Sequence, residues 1–238
     1  MILMLCSGKK DIRKFVIGLA LVMSGCVYFV VPVQAATDRK CLATWEFPQI
    51  KTNYVKAKSK LSRNKTGKQI ERIAKKSGYS KPKGHGGLLG LTHSSIGPSF
   101  AVSTKYIEVE KGRYCLKLRK VDFTFGIRKS EIYVDRKYRK SSCAYKVIYA
   151  HEKQHVRINE KTVNDYAPKI SKELKKRAAA IKPFYTDNPK EAAQLIIKKL
   201  TVSMKPILQK FADQREKAND VIDTNEAYTA TQAKCSDW

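Results

Sequence analysis

Acidic residues are scarce in this chain. Asp and Glu number 21 against 48 Lys and Arg over 238 residues, which leaves a formal net charge of +27. An excess this large predicts attraction to polyanions: nucleic acid, anionic lipid headgroups or acidic cell-wall polymers. The lysines are spread diffusely, so a solvated basic surface with no single partner is the plain alternative. The sequence also has no Cys-x-x-Cys spacing, which leaves a zinc–thiolate site unsupported. It has no recognisable nucleic-acid motif, which places nucleic acid low among partners. It shows no internal repeat. Histidine occurs only 4 times, so a patterned pair of them carries information. What is present in quantity is apolar sequence, 42% of the chain, enough for a packed core and against wholesale disorder.

The N-terminus points to a compartment. Lys9, Lys10, Arg13 and Lys14 form a positive region, and Phe15 to Val33 is free of charge and almost wholly apolar. Val33-Gln34-Ala35 then offers small side chains where a signal peptidase reads them. Residues 1–35 are expected to be a cleaved secretory signal, giving a periplasmic or secreted protein. The rivals are a retained N-terminal anchor, since the run is long enough to span a bilayer, and a lipoprotein site at Ser24-Gly25-Cys26. Apolar sequence continues past Cys26, which argues against the last. Cleavage removes four cations and Asp11, leaving the mature chain at +24.

Cysteine usage agrees with export. Cys41, Cys115, Cys143 and Cys235 remain after cleavage, an even number in an oxidising compartment. Of the three possible pairings, Cys115–Cys143 is expected, because the segment between them reads as a strand pair leading into a helix. That leaves Cys41–Cys235 to tie the chain ends together.

Along the mature chain, residues 37–60 read as an opening extended segment and Asn64 to Lys76 as a helix with Ile70, Ile73 and Ala74 on one face. Residues 78–99 are punctuated by Gly, Pro, Ser and His and read as a loop holding His85 and His93. Residues 100–136 are β-rich: a strand from Thr104, a Lys111-Gly112 turn, an alternating run from Tyr114 to Phe125, a break at Gly126, and a short strand Glu131 to Asp135. Ser141-Ser142 offers an N-cap. From Cys143 the period becomes 3.6, and a helix is expected to about residue 166, where Pro168 permits a kink or a new start. Residues 169–182, 190–204 and 207–234 continue as helices. Strands first and helices later predict a single α+β domain over residues 36–238, with a C-terminal helical region from about 169.

One constellation carries chemistry. His151-Glu152-Lys153-Gln154-His155 places two imidazoles at i and i+4, on one helical face, where they can converge on a tetrahedral metal. Glu152 is adjacent and can reach a metal-activated water without ligating the metal. That assigns Zn2+ to His151 and His155, and the role of general base to Glu152, in hydrolysis of a peptide bond. The plain alternative is a helix with two surface histidines and a solvated glutamate. Lys153 puts a charge where stringent versions of the motif have none, and must point away from the metal face.

The residues Cys115-x-Leu-x-Leu, Glu131-Ile-Tyr-Val, Ser142-Cys143-Ala-Tyr and His151-Glu152-x-x-His155 with Val156 and Ile158 resemble bacterial families of predicted secreted zinc-dependent peptidases of the zincin type. The resemblance is strongest over residues 100–166 and weak before residue 90. It implies a zincin-like fold: a small twisted, mostly antiparallel sheet packed on the active-site helix, with a second helix bringing the last ligand. It also implies that an edge strand, Glu131 to Asp135, aligns an extended peptide by strand addition. Asn225-Glu226-Ala227 resembles the segment that supplies the glutamate ligand in thermolysin-like peptidases, so Glu226 is the first choice for third ligand. Asp223, one turn earlier, is the second, a loop histidine the third, and Glu160 lies off the ligand face. Tyr145, Tyr149, Tyr166 and Tyr228 are candidates to stabilise an oxyanion. The partners are then a peptide or protein substrate and, through the basic surface, anionic envelope polymers. Two other readings stay open: a non-enzymatic basic binding protein of the cell envelope, and a degenerate zincin without catalysis.

Overall fold

The computed structural model describes residues 40–78, 88–236 and 238, so the expected export signal and His85 lie outside the described residues. The fold is α+β, with one open, mixed sheet built around a single long strand. Strands β1 (Gln49–Lys56), β2 (Lys60–Ser62), β3 (Gly90–Glu110), β4 (Arg113–Val134) and β5 (Phe184–Thr186) are joined by helices α1 (Gly67–Lys76), α2 (Cys143–Ala179), α3 (Pro189–Asp220) and α4 (Asn225–Gln232). β4 is the axis. β3 runs antiparallel along one of its edges from Glu110↔Arg113 to Gly90↔Val134. The other edge is shared end to end by β5, antiparallel at residues 114–116, then β1 and β2, both parallel, at residues 120–127 and 131–133. The sheet is therefore mixed, with most of its paired residues antiparallel, along β3 and β5, and a parallel minority along β1 and β2.

Three local expectations change. Residues 90–99 are strand, not loop, despite Pro98; among the described residues β3 pairs only with β4, so a missing N–H there breaks no second ladder. Gly126 bends β4 without ending it. Its φ is 134°, and a Cβ there would stand 2.1 Å from the Val55 carbonyl oxygen, so only glycine lets β1 pair past it. Glu131 to Val134 is not an edge: its residues are bonded to β2 on one side and β3 on the other, leaving β2 and the first residues of β3 as the outer strands at this end of the sheet among the described residues.

The helices follow apolar period more than proline. α2 passes through Pro168 and α3 through Pro206, where breaks are expected. Both prolines are exposed, so solvent can take up the carbonyl each one orphans. The apolar rows carry on past them: Val163, Ala167, Ile170, Leu174 and Ala178 on α2, and Ala192, Ile196, Leu200, Met204 and Phe211 on α3. These rows pack on Leu116, Leu118, Val121, Phe123, Phe125 and Ile127 of β4 to form the main core. Each such side chain contributes about 1.5–3 kcal/mol on burial. A second cluster joins Ile132, Val134 and Tyr138 to Ala144, Tyr145 and Ile148, seating the first turns of α2 on the end of β4. Ser142 caps that helix by accepting from the Tyr145 N–H.

The cysteine pairing differs from expectation. The bonds are Cys41–Cys115 and Cys143–Cys235. Cys115 lies at the start of β4 and Cys143 opens α2, with the length of β4 between them. Cys115 therefore staples the start of the described chain, and Cys143 staples its end.

Candidate metal centre

α2 and the turn between α3 and α4 build the site. His151 and His155 lie one turn apart on α2, with ring centroids 4.8 Å apart and planes at 85°. Their Nε2 atoms are 3.1 Å apart. α3 stops at Asp220 because Thr224 caps a new helix, accepting from the Ala227 N–H. The intervening turn brings Asp223 back over α2, with Oδ1 at 3.2 Å from both Nε2 atoms. The side chains are 11% exposed for each histidine and 14% for the aspartate, so the triangle is nearly closed to solvent.

Neighbouring groups fix which ring nitrogen faces inward. The Asn219 side-chain amide donates to the Arg215 carbonyl at 2.7 Å, which turns its Oδ1 towards His155 Nδ1, also at 2.7 Å. Nδ1 must then carry the hydrogen, and in the neutral ring Nε2 presents its lone pair to the triangle. A carboxylate oxygen and an imidazole lone pair that face each other at 3.2 Å need a cation between them. Zinc–ligand bonds of about 2.0–2.1 Å give tetrahedral edges of about 3.3 Å, close to all three sides of this triangle. His151, His155 and Asp223 form a group that can hold a metal ion. In the metal-free protein a proton serves instead: burial opposes it, but Asp223 and Glu152 outweigh burial and push His155 up to about 9. Burial likewise works against the Asp223 carboxylate, yet the two histidines hold its pKa well below the usual range. The Tyr228 hydroxyl donates to the same Oδ1 at 3.2 Å, and its ring lies 5.5 Å from that of His151.

Glu152 is buried, at 5% exposure, on the side of α2 that meets β3. Thr92 Oγ1 stands 2.8 Å from both its Oε2 and its backbone carbonyl, and can donate to one at a time. The carboxylate fits because residue 90 is glycine: a Cβ there would stand 2.6 Å from Glu152 Oε1 and 2.7 Å from Ile148 Cγ2. Burial raises the Glu152 pKa, against the opposing charges of His155 and His151 and the Thr92 bond. A buried carboxyl of raised pKa beside a cation site is equipped to take and return a proton.

The remaining candidates fall elsewhere. Glu226 is exposed in the first turn of α4, where its own backbone N–H and Thr224 lower its pKa, and it does not join the ligand group. Asp223 takes the place expected of it, because the capped turn, not a continuous helix, aims the carboxylate. His93 is in β3, opposite Glu131. Glu160 pairs with Lys56 at 3.2 Å. Tyr145 stacks on Tyr149, and Tyr166 packs against Phe211. Of the four tyrosines weighed, Tyr228 is the one at the triangle. Lys153 is exposed, with its ammonium over the Tyr149 ring at 5.6 Å. Sequence reasoning missed Asn219, Thr92 and Gly90. Asn219 stands in the last turn of α3, four residues before Asp223 in sequence, and its role depends on the helix ending there. No family model, curated protein or solved structure matches the chain.

Proposed function

We propose that the chain is an exported zinc-dependent peptidase of the zincin type, with His151, His155 and Asp223 as ligands and Glu152 as general base. The observation that carries the reading is the near-closed triangle of ligand atoms on the same helix as the buried Glu152 carboxyl. Zinc, when bound there, supplies Lewis acidity that brings the pKa of a water towards about 7. Thr92 orients Glu152 Oε2 to take the proton of the attacking water, and Glu152 returns it to the leaving amine. Asn219 holds the His155 tautomer, as outer partners of ligating histidines do. The free edge of β3 at Gly90–Ser95, next to Glu152, offers backbone groups to which an extended peptide can pair.

The test is metal analysis and peptide hydrolysis on the purified mature chain. The expected result is about one zinc per chain and an activity removed by chelator and restored by zinc. Glu152→Gln should retain the metal and lose hydrolysis. A wild-type protein that binds zinc yet cleaves no peptide in a diverse library would favour the degenerate reading. The +24 mature charge favours one further alternative, a basic envelope-binding protein. It predicts steeply salt-dependent polyanion binding, indifferent to chelator, with the histidines incidental or holding a structural metal.

A further inference from the structure

Eleven large apolar side chains are exposed among the described residues, and five of them gather at one end of the molecule. Tyr106, Ile107 and Val109 lie at the tip of the β3–β4 hairpin, and Leu42 and Phe47 lie in the segment that enters the fold; all five are 40–61% exposed. The entering segment is stapled over the hairpin. Cys41 is bonded to Cys115, and Lys117 donates to the Thr44 carbonyl at 3.1 Å and to Glu46 at 2.9 Å. Cys115 and Lys117 stand opposite Ile107 and Lys105 in the ladder, so residues 41–47 share one end and one face with Ile107, while Tyr106 stands on the other face of the same tip.

Cations outnumber carboxylates at that end. Lys40, Lys105, Lys111, Arg119 and Lys182 are exposed cations there, and Lys182 sits over the Trp45 ring at 3.9 Å. Three of the nearby carboxylates are engaged: Glu46 with Lys117, Glu110 with Arg113 at 3.8 Å, and Glu108 accepting from the Gly112 N–H. Apolar side chains at the centre with lysine and arginine at the rim are the arrangement of an interfacial membrane contact, where apolar groups enter the acyl boundary and cations meet anionic headgroups. A soluble polyanion would use the cations and leave the apolar groups without purpose. A second copy would bring two cationic rims together.

Chain geometry points the same way. The apolar run Phe15 to Val33 ends eight residues before Cys41. Eight residues reach at most about 28 Å, so the staple holds that run close to this end whenever it is inserted in a bilayer. We propose that the β3–β4 hairpin tip and residues 41–47 form a membrane-contact surface for anionic lipid. It acts before cleavage alongside the apolar run, and after cleavage alone. This does not rest on the peptidase reading.

The test is co-sedimentation of residues 36–238 with vesicles of phosphatidylglycerol and phosphatidylcholine, against phosphatidylcholine alone. All described elements and both disulfides lie within that chain. Partition is expected on the anionic vesicles, reduced about tenfold by I107S/V109S and unchanged by L195S/V202S, which alters exposed apolar residues on α3. In a W238F background, brominated lipid should quench Trp45; the same lipid should leave Trp238 unquenched in W45F. The proposal is overturned by equal partition of both double variants, or by quenching of Trp238 in place of Trp45. It is equally overturned by absence of vesicle binding, including the case where I107S/V109S instead disrupts a dimer.

Discussion

Replacing Asp223 by alanine should destroy the metal centre, while Glu226→Gln should leave it intact. A full set of zinc ligands is worth about 10–16 kcal/mol, or about 2.5–4 kcal/mol for each of four. Losing one side of the triangle should therefore weaken zinc by about two to three orders of magnitude. Asp223 Oδ1 stands 3.2 Å from both imidazole Nε2 atoms, and among the described residues no other carboxylate joins the group to replace it. Glu226 is exposed at a helix start, where its charge is already satisfied locally. Competition titration against a chromogenic chelator reads both variants, with circular dichroism to confirm the fold. Asn219→Ala, which releases the His155 ring without removing a ligand, should fall between them at about 10–100-fold. Equal loss in Asp223→Ala and Glu226→Gln, or no loss in Asp223→Ala, would refute the assignment.

Gly90→Ala should separate metal binding from catalysis: the new Cβ must push aside the Glu152 carboxylate and the Ile148 methyl, and a displacement approaching 1 Å can cost about a hundredfold in turnover. Zinc content should stay near wild type. The metal-free protein should lose stability as pH rises through about 9, because His155 is raised from an ordinary 6.5 to about 9; its stabilising proton is fully bound below about 6.5 and gone above 9. Melting in chelator should therefore fall between those values, and melting with saturating zinc should not. Reducing Cys143–Cys235, or Cys235→Ser, should weaken zinc while sparing the core, since α4 contains no buried residue and the bond clamps it beside the start of α2. Titration with and without a dithiol reductant reads this.

Elements with a one-sided apolar period were legible from sequence, and those defined by their partners were not. The spacing of Ile70, Ile73 and Ala74 marks α1, and the switch of period at Cys143 marks α2 with its Ser142 cap. The first half of β3 escaped because Gly-Leu-Thr-His-Ser-Ser-Ile-Gly-Pro has neither alternation nor strand composition; it is a strand because β4 lies beside it. Parallel pairing of β1 and β2 was equally hidden, since a strand carries no mark of which neighbour it will meet. The helix breaks at Pro168 and Pro206 failed because tertiary packing on β4 outweighs one lost hydrogen bond on an exposed face.

The site divides along the same line. His151, Glu152 and His155 are local, and i, i+4 geometry alone puts the imidazoles together. The third corner is not local. It depends on where a helix stops, and Asp223-Thr224-Asn225 is a stop signal, a threonine flanked by residues that favour caps and turns. Read as one helix from 207 to 234, the segment makes Glu226 a ligand by likeness; read with Thr224 as N-cap, it places residue 223 in a turn and residue 226 in a first turn facing solvent. The cysteines obey the same logic. With β4 running unbroken from Cys115 to beyond Gly126, Cys115 and Cys143 belong to opposite ends of the sheet, so neither can close on the other. Cys41 secures the entry at the hairpin, and Cys235 secures the segment that carries Asp223 and Tyr228. In place of one bond joining the chain ends there are two clamps, one of which holds the turn that carries Asp223, a turn with almost no apolar burial to hold it.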